Sequence, residues 1–361
     1  MIGPLPDFPW DSLAGAAARA RAHPDGIVNL SVGTPVDPTP AFIQRALADA
    51  ADAPGYPLTA GTEELRTAAV GWLRRRFGVS GDVAVLPVIG TKELVAWLPT
   101  LLGATSVGFP SLAYPTYDVG ARLAGARGVA VDALVALGPQ RLDLLWLNSP
   151  SNPTGTVLPA AHLRKVVEWA RERGCVVASD ECYADLWYDD EPPVSVLSPD
   201  VCGGSLDGLL AVHSLSKRSN LAGYRAGFVA GDPALVARLL ELRKHAGMIV
   251  PTPVQAAMAA ALDDDEHVVA QRNLYAARRS ALRPALEHAG FVVEGGDGGL
   301  YLWATRGEPC RRTVDALADL GILVAPGEFY GAAGGQHVRV ALTATDERIA
   351  AAVARLKEAG S

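Results

Sequence analysis

Short apolar runs alternate with amphipathic segments through most of this chain, and the alternation limits the folds open to it. Residues 144–147, 175–178 and 209–212 are apolar runs of strand length, and residues 161–173 have the spacing of an amphipathic helix. Alternating strands and helices predict a mostly parallel sheet covered on both faces, which defines the α/β class. Ligands of such sheets bind beyond the carboxyl ends of the strands. The residues that follow each run are therefore candidates for function.

Polar residues follow each of these three apolar runs. They read NSPSNPTG at residues 148–155, SDECY at 179–183 and SLSK at 214–217, with Arg225 eight residues after Lys217. Lysine can form a Schiff base with an aldehyde cofactor, and burial near other cations lowers its pKa toward reactivity. An aspartate at a strand end can pair with a pyridinium nitrogen. Each motif alone has an ordinary explanation, as a turn, a helix start or a solvated loop, but the three together favour a cofactor site.

In order and in residue type, these motifs resemble those of the class I/II pyridoxal-phosphate (PLP) aminotransferases of fold type I, over nearly the whole chain. The resemblance implies an α/β fold like that of aspartate aminotransferase, with a large PLP-binding domain around a mostly parallel sheet and a smaller α+β domain. We expect an N-terminal arm at residues 1–37 that packs with the small domain, the large domain at 38–270 and the small domain at 271–361. It also implies amino-acid and keto-acid substrates and a homodimer with shared active sites.

The resemblance assigns the catalytic chemistry to residues of the three motifs. Lys217 would hold the aldehyde of PLP and then move a proton between the substrate Cα and the cofactor as general base and acid. Asp180 would keep the pyridine nitrogen protonated. Tyr183 and Asn152 would hydrogen-bond the phenolate oxygen of the cofactor.

The phosphate of PLP carries close to two negative charges and needs several hydrogen-bond donors. Residues 89–93, IGTKE, follow a predicted strand and open a predicted helix. Gly90 allows close approach of the backbone, and the amides of Thr91 and Lys92 would point at the phosphate from the helix N-terminus. The resemblance adds four further cofactor ligands, which are Ser214 and Arg225 of the same chain and Tyr56 and Thr252 donated by the neighbouring subunit.

Two more groups complete the expected site. Tyr114 resembles the aromatic residue that stacks on the pyridine ring, with Tyr117 as its competitor because the alignment is loose there. Arg339 lies between valines in a predicted strand and matches the arginine that binds the substrate α-carboxylate bidentately. Burying such an arginine without an anion would be costly. Gly33 matches the backbone position that closes over the same carboxylate, and Asn152 is expected to contact the substrate as well.

Further stretches resemble one branch of the family, the bacterial N-succinyldiaminopimelate aminotransferases of lysine (diaminopimelate) biosynthesis, which exchange amino groups with glutamate and 2-oxoglutarate. They lie at residues 23–38, 86–94, 243–248 and 340–346. The distal carboxylates of such a substrate require a cation beyond Arg339, and the candidates are Lys92, Arg218 and Lys244. The same scaffold also hosts broad-specificity aminotransferases, decarboxylases and carbon–sulfur lyases, and a non-catalytic ligand sensor is the alternative from another class.

Composition argues against several other classes of protein. The net charge of −7, without a basic run, argues against nucleic-acid binding. No uninterrupted apolar span is long enough to cross a membrane, and the first residues lack the pattern of an export signal. The four cysteines show no metal-binding spacing, so we expect reduced thiols, no metal and a cytoplasmic location.

Overall fold

The structure is a computed structural model that describes residues 5–138 and 140–360. Residues 1–4 of the predicted arm, residue 139 of the predicted large domain and residue 361 of the predicted small domain lie outside the described residues. The strands are β1 (Val28–Asn29), β2 (Ala84–Ile89), β3 (Ser106–Phe109), β4 (Arg127–Ala130), β5 (Leu144–Asn148), β6 (Val176–Asp180), β7 (Leu209–Ser214), β8 (Ala226–Gly231), β9 (Val292–Glu294), β10 (Tyr301–Thr305), β11 (Ile322–Leu323), β12 (Ala325–Pro326) and β13 (His337–Ala341). The helices are α1 (Ala14–Arg21), α2 (Ala41–Asp49), α3 (Glu63–Phe77), α4 (Thr91–Leu102), α5 (Thr116–Leu123), α6 (Ala160–Arg173), α7 (Pro199–Cys202), α8 (Leu215–Arg218), α9 (Pro233–Ala246), α10 (Thr252–Asp263), α11 (Glu266–His288), α12 (Cys310–Asp319) and α13 (Asp346–Ala359).

Seven strands form one large sheet in the order β2-β8-β7-β6-β5-β3-β4. The neighbours from β7 to β4 run parallel, and β8 runs antiparallel to both β2 and β7. The mostly parallel sheet predicted for the α/β class is confirmed. The motifs that follow β5, β6 and β7 consequently meet at one edge of this sheet.

Successive side chains of the central strands enter two different cores. In β5, Leu145 and Leu147 pack with residues of α3 and α6 on one face of the sheet. Leu144 and Trp146 pack with residues of α4 and α5 on the other face. Since both faces are covered, the strand carries no polar side chain before Asn148, its last residue. This double burial explains why the sequence shows continuous apolar runs with polar groups only at their ends.

A further core surrounds a four-stranded antiparallel sheet, β12-β13-β10-β9. The start of the chain belongs to this core, because Leu13 and Ala20 pack in it and β1 pairs in parallel with β11. Helix α11 packs against α13 and runs across the predicted domain limit between residues 270 and 271. The domain limits themselves stay predictions.

Membrane, metal and disulfide features can be stated for the part of the chain that the structure describes. No helix there combines the length and the apolarity needed to cross a membrane. No group of three or more His, Cys, Asp and Glu side chains there is arranged to hold a metal ion. All four cysteines are free thiols.

A buried ion pair fixes the start of α4 against α9. The Arg243 side chain is fully buried, and its Nη1 and Nη2 donate to the two carboxylate oxygens of Glu93 at 2.9 and 3.0 Å. Nη2 also donates to the Met248 carbonyl at 3.3 Å. Because Glu93 lies in the first turn of α4, this bidentate pair holds the helix end that borders the predicted phosphate site.

We expect Glu93→Ala to lower the free energy of unfolding by about 3–5 kcal/mol, because it leaves the buried Arg243 charge without its carboxylate. Urea unfolding followed by far-UV circular dichroism measures the loss. Glu241→Ala is the matched control, since Glu241 pairs with Lys244 on the exposed face of α9 and such pairs contribute at most about 1 kcal/mol. Equal stability losses in the two variants would contradict this role of Glu93.

Candidate active site

A cavity of about 720 Å³ opens where the carboxyl ends of β5, β6 and β7 meet. It brings together most of the side chains that the sequence singled out. Those that line it are Gly33, Thr91, Lys92, Tyr114, Asn152, Asp180, Tyr183, Ser214, Lys217, Arg225 and Arg339. Segments distant in the chain, from residue 33 to residue 339, thus converge on one space.

Lys217 lies in the single turn of α8, directly after β7, and its Nζ donates a hydrogen bond to the Gly33 carbonyl. Burial lowers the pKa of Lys217, the positive charges of Arg339 and Arg225 act in the same direction, and nearby Tyr301 opposes them. A lowered pKa increases the fraction of neutral amine, which is the nucleophilic and basic form. The site therefore favours a reactive amine at this position.

Asp180, the last residue of β6, presents a buried carboxylate at the floor of the cavity. Its Oδ2 accepts a hydrogen bond from the Tyr117 hydroxyl at 2.8 Å, and its Oδ1 accepts one from the Cys182 amide at 3.2 Å. Burial raises the pKa of Asp180, and these two hydrogen bonds offset part of the increase. A cationic group in the cavity would stabilise the charged form further, as expected of a pyridinium partner.

Tyr117 does not line the cavity, whereas Tyr114 does. The Tyr117 ring is fully buried and stacks on Trp146 with the centroids 5.1 Å apart. Its hydroxyl is taken up by Asp180. The structure therefore excludes Tyr117 as the ring-stacking residue and makes it a support of the carboxylate, while the stacking role of Tyr114 stays a prediction.

The N-terminus of α4 forms a cradle with Arg225. Gly90 precedes the helix at φ +73°, and no side chain in the described part of the chain caps the free amides of the first turn. A Cβ at Gly90 would overlap the Arg225 guanidinium, lying 2.7 Å from its Cζ, so glycine is required for the arginine to occupy this place. Ser214 adds a hydroxyl that accepts from the Ser216 amide at 3.1 Å. Free amides, a guanidinium and a hydroxyl together make a donor set suited to a phosphate.

Arg339 of β13 is a buried cation without a carboxylate partner among the described residues. Its Nη1 donates to Asn152 Oδ1 at 2.8 Å and its Nη2 donates to the Ser31 carbonyl at 2.9 Å. The guanidinium carbon lies 3.7 Å from the ring centre of Tyr301 and 4.8 Å from that of Tyr330. Neutral acceptors and aromatic faces do not neutralise the charge, so the arrangement fits an anionic ligand such as a carboxylate.

Some predicted residues lie away from this cavity. Tyr56 is fully exposed and Thr252 begins α10, and neither lines the cavity of its own chain, so their action on a neighbouring subunit stays a prediction. Arg218 is buried against Asp185 at 2.8 Å, and Lys244 pairs with Glu241 on the surface of α9. Neither side chain lines the cavity, and the charge of each is engaged in an ion pair outside it, which makes them less suited to hold the distal carboxylates. Lys92 is the candidate that lines the cavity.

The sequence did not reveal several residues of the site. Tyr301 begins β10 inside the apolar stretch YLWAT, so its hydroxyl gave no signal. Asn148 belongs to the motif after β5, but the sequence assigned it no role: its Nδ2 donates to the Asp180 carbonyl at 2.9 Å and its Oδ1 accepts from the Asn152 amide at 2.7 Å, which holds the loop after β5. Phe8 and Trp10 of the N-terminal arm also line the cavity. Two aromatic residues within a proline-rich arm were the available sequence signal for that contact.

Comparison with known proteins gives the family. Residues 25–356 match the family described as aminotransferase class I and II. The chain belongs to this family. Its PLP-dependent chemistry follows from that membership, which confirms the resemblance and the cofactor predicted from the sequence.

Individual relatives of this aminotransferase cover nearly its whole length. It is 68% identical to a probable aminotransferase of Mycobacterium tuberculosis over 98% of this chain and 85% of the relative. It is 64% identical to the 4-dedimethylamino-4-oxo-anhydrotetracycline transaminase OxyQ of Streptomyces rimosus, over 98% and 99% of the two chains. Among solved structures, the N-succinyldiaminopimelate aminotransferase of M. tuberculosis superposes with a TM-score of 0.86 at 28% identity, over 97% and 96% of the chains.

The donor set of the aminotransferase fits PLP. The uncapped α4 N-terminus, Arg225 and Ser214 would hold the phosphate, while Asp180 would hold the ring nitrogen. Lys217 and Tyr183 line the same cavity, so the amine and the phenol lie within reach of one bound cofactor. Once bound, PLP would supply the electron sink that an amino-acid side chain lacks.

We expect Gly90→Ala to weaken PLP binding by at least about tenfold, equivalent to about 1.4 kcal/mol, because the new Cβ displaces Arg225 and strains the backbone. Titration of the apoprotein with PLP, followed by the cofactor absorbance, measures the affinity. Gly78→Ala is the control, since Gly78 also has positive φ, at +67°, but no atom of the described residues lies within 4 Å of its Cβ position. Wild-type PLP affinity in Gly90→Ala would contradict the cradle.

Proposed function

We propose that this PLP-dependent aminotransferase exchanges the amino group between glutamate and the keto form of N-succinyl-LL-2,6-diaminopimelate. The observation that carries the proposal is a cation in the cavity besides those expected to serve the α-carboxylate, the phosphate and the aldehyde of PLP. Lys92 lines the cavity and has no ion-pair partner among the described residues, which suits the distal or succinyl carboxylate of such a substrate. The likeness to a solved N-succinyldiaminopimelate aminotransferase supports the same reading.

In the proposed reaction, Arg339, Lys217 and Asp180 would have separate roles. Arg339 would bind the substrate α-carboxylate and thereby place the Cα–H bond next to Lys217. The neutral Lys217 amine, favoured by its lowered pKa, would take the proton from Cα and return it during the exchange. Asp180, oriented by Tyr117, would keep the cofactor nitrogen protonated so that the electron sink persists.

In this proposal the Lys92 side chain would bind the distal end of a long substrate. It lies in the first turn of α4, and its Nζ is 5.3 Å from the ring centre of Phe8 in the N-terminal arm. The backbone amide of the same residue belongs to the phosphate cradle. Its side chain can therefore be changed while that amide is kept.

A specific observation favours a second candidate, a polycyclic ketone such as the one named for OxyQ. The identity to OxyQ is 64%, and the cavity wall includes the apolar and aromatic side chains of Phe8, Trp10, Val32 and Val119. In addition, the M. tuberculosis relatives at 68% and 28% identity are different proteins, and it is the less similar one that is named as the N-succinyldiaminopimelate enzyme. A flat ring system would pack well against this wall.

A half-reaction screen tests the proposal directly. The holoenzyme is mixed singly with glutamate, N-succinyl-diaminopimelate, alanine, cystathionine and an amino-anhydrotetracycline, and the loss of the bound aldehyde absorbance is followed. We expect rapid loss with glutamate and with N-succinyl-diaminopimelate. Rapid loss with the anhydrotetracycline and none with N-succinyl-diaminopimelate would replace the proposed substrate with the second candidate, and elimination products from cystathionine would indicate a lyase.

We expect Lys92→Glu to lower kcat/KM for N-succinyl-diaminopimelate at least about tenfold more than for glutamate, a difference of about 1.4 kcal/mol, because charge reversal repels the distal carboxylates. Steady-state kinetics with both substrates gives the ratio, and the comparison within one variant cancels any loss of PLP affinity. Lys244→Glu is the matched control, because it reverses a surface lysine outside the cavity. An unchanged substrate ratio in Lys92→Glu would remove the distal clamp from the proposal.

We also propose a homodimer in which Tyr56, fully exposed in the single chain, completes the neighbouring site. Co-expressed Lys217→Ala and Tyr56→Ala chains should then form heterodimers in which one site has both defects and the other has neither. With random pairing, about a quarter of all sites would be intact, so activity should exceed the sum of the two parents. Activity equal to that sum, or a fully active monomer in sedimentation, would contradict the shared site.

The cytoplasmic location expected from the sequence stays part of the proposal. The four free thiols are what a reducing compartment leads one to expect.

A further inference from the structure

Tyr301 connects three parts of the site. It is the first residue of β10 and is buried at 4% exposure. Its ring lies 3.7 Å from the Arg339 guanidinium carbon, and its hydroxyl lies 3.1 Å from the Tyr183 hydroxyl. A Cβ at Gly33 would overlap the same hydroxyl, so the tyrosine presses against the backbone whose carbonyl binds Lys217.

We propose that Tyr301 is a positioning residue that couples the substrate carboxylate clamp to the proton chemistry of the site. The aromatic ring holds the guanidinium of Arg339 in place, and the hydroxyl donates to Tyr183 so that the Tyr183 proton is directed to the cofactor oxygen. The inference rests on the aminotransferase reaction and not on the identity of the second substrate.

The role of the Tyr301 ring follows from the contacts that hold the Arg339 guanidinium. Two hydrogen bonds to Asn152 and Ser31 fix two of its nitrogens, and Nε has no hydrogen-bond partner among the described residues. Of the two aromatic rings beside the guanidinium, Tyr301 is the nearer, at 3.7 Å against 4.8 Å for Tyr330, and its face supplies a cation–π interaction that is stronger where water is excluded. Removing the ring would free the guanidinium to tilt away from the substrate carboxylate.

The role of the Tyr301 hydroxyl follows from the number of hydroxyl protons that the two tyrosines have. Tyr183 has one hydroxyl proton, and it can donate either to Tyr301 or to the cofactor oxygen. If Tyr301 is the donor between the two phenols, the Tyr183 proton is free for the cofactor, and the chain of two hydrogen bonds strengthens the second. Burial raises the pKa of Tyr301, but the charges of Arg339 and Lys217 outweigh it and lower that pKa overall, which makes Tyr301 the better donor of the pair.

The pKa of the other phenol, Tyr183, is shifted in the opposite direction. Burial and the neighbouring Tyr301 hold the pKa of Tyr183 well above its ordinary value, so Tyr183 keeps its proton. The titratable and charged groups that face Tyr301 are Arg339, Tyr330, Lys217, Cys182, Tyr183, Tyr114 and Tyr275. Only Arg339 and Lys217 in this set are cations, and both act in the stated direction.

Two substitutions separate the role of the Tyr301 ring from that of its hydroxyl. Tyr301→Phe keeps the ring and removes the hydroxyl. The absorbance of the bound cofactor changes with pH, and the midpoint of that change should move upward by a few tenths of a pH unit or more. The weakened Tyr183 donor stabilises the phenolate less. The KM for glutamate, or for whichever amino acid discharges the cofactor, should stay within about twofold while kcat falls. Tyr301→Leu removes both groups and should in addition raise that KM at least about tenfold, by about 1.4 kcal/mol.

Tyr330→Phe is the control, because its ring also faces Arg339 while its hydroxyl has no hydrogen-bond partner among the described residues. It should leave both the midpoint and KM unchanged. Circular dichroism and cofactor content verify folding, and Tyr301→Met replaces Tyr301→Leu if the latter does not fold. An unchanged pH midpoint in Tyr301→Phe would overturn the role of the Tyr301 hydroxyl in directing the Tyr183 proton. A KM within twofold of wild type in Tyr301→Leu, or in Tyr301→Met, would overturn the role of the Tyr301 ring in holding Arg339.

Discussion

Burial of the central strands on both faces is the constraint on which the rest of the structure depends. Side chains of β5, β6 and β7 enter a core on either side, and the polar residues of these strands are confined to their last two positions. Because these strands are parallel, their ends lie at the same edge of the sheet. Asn148, Asp180 and Ser214 are their last residues, and the loops that follow bring the remaining groups into the cavity.

The charge of the side chains that line the cavity is opposite in sign to the net charge of the chain. The chain carries a net charge of −7, yet the side chains that line the cavity include four cations, Lys92, Lys217, Arg225 and Arg339, against the carboxylates of Asp7 and Asp180. A phosphate and a substrate carboxylate would balance this local excess of positive charge. Burial is the main cause of the lowered pKa of Lys217, and two of these cations, Arg339 and Arg225, act in the same direction.

The sequence predicted the strand-end residues well, because apolar runs and the polar motifs after them are local signals. It could not decide contacts that depend on three dimensions. Lys217 and Arg218 are adjacent, yet neighbours on a helical turn face different directions, and Arg218 points to Asp185 while Lys217 enters the cavity. The sequence showed no sign of the role of Tyr301 for a similar reason. A tyrosine at the start of an apolar strand has the pattern of a core residue, and only the fold shows that its hydroxyl lies beside that of Tyr183.

The central claim is that the amine at the end of β7 is the one that engages the aldehyde of PLP. The most direct measurement is borohydride reduction of the holoenzyme, followed by proteolysis and mass spectrometry of the peptides. The account predicts that the added pyridoxyl mass is found on Lys217. Label on Lys92 or another lysine instead, with Lys217 unmodified, would contradict it.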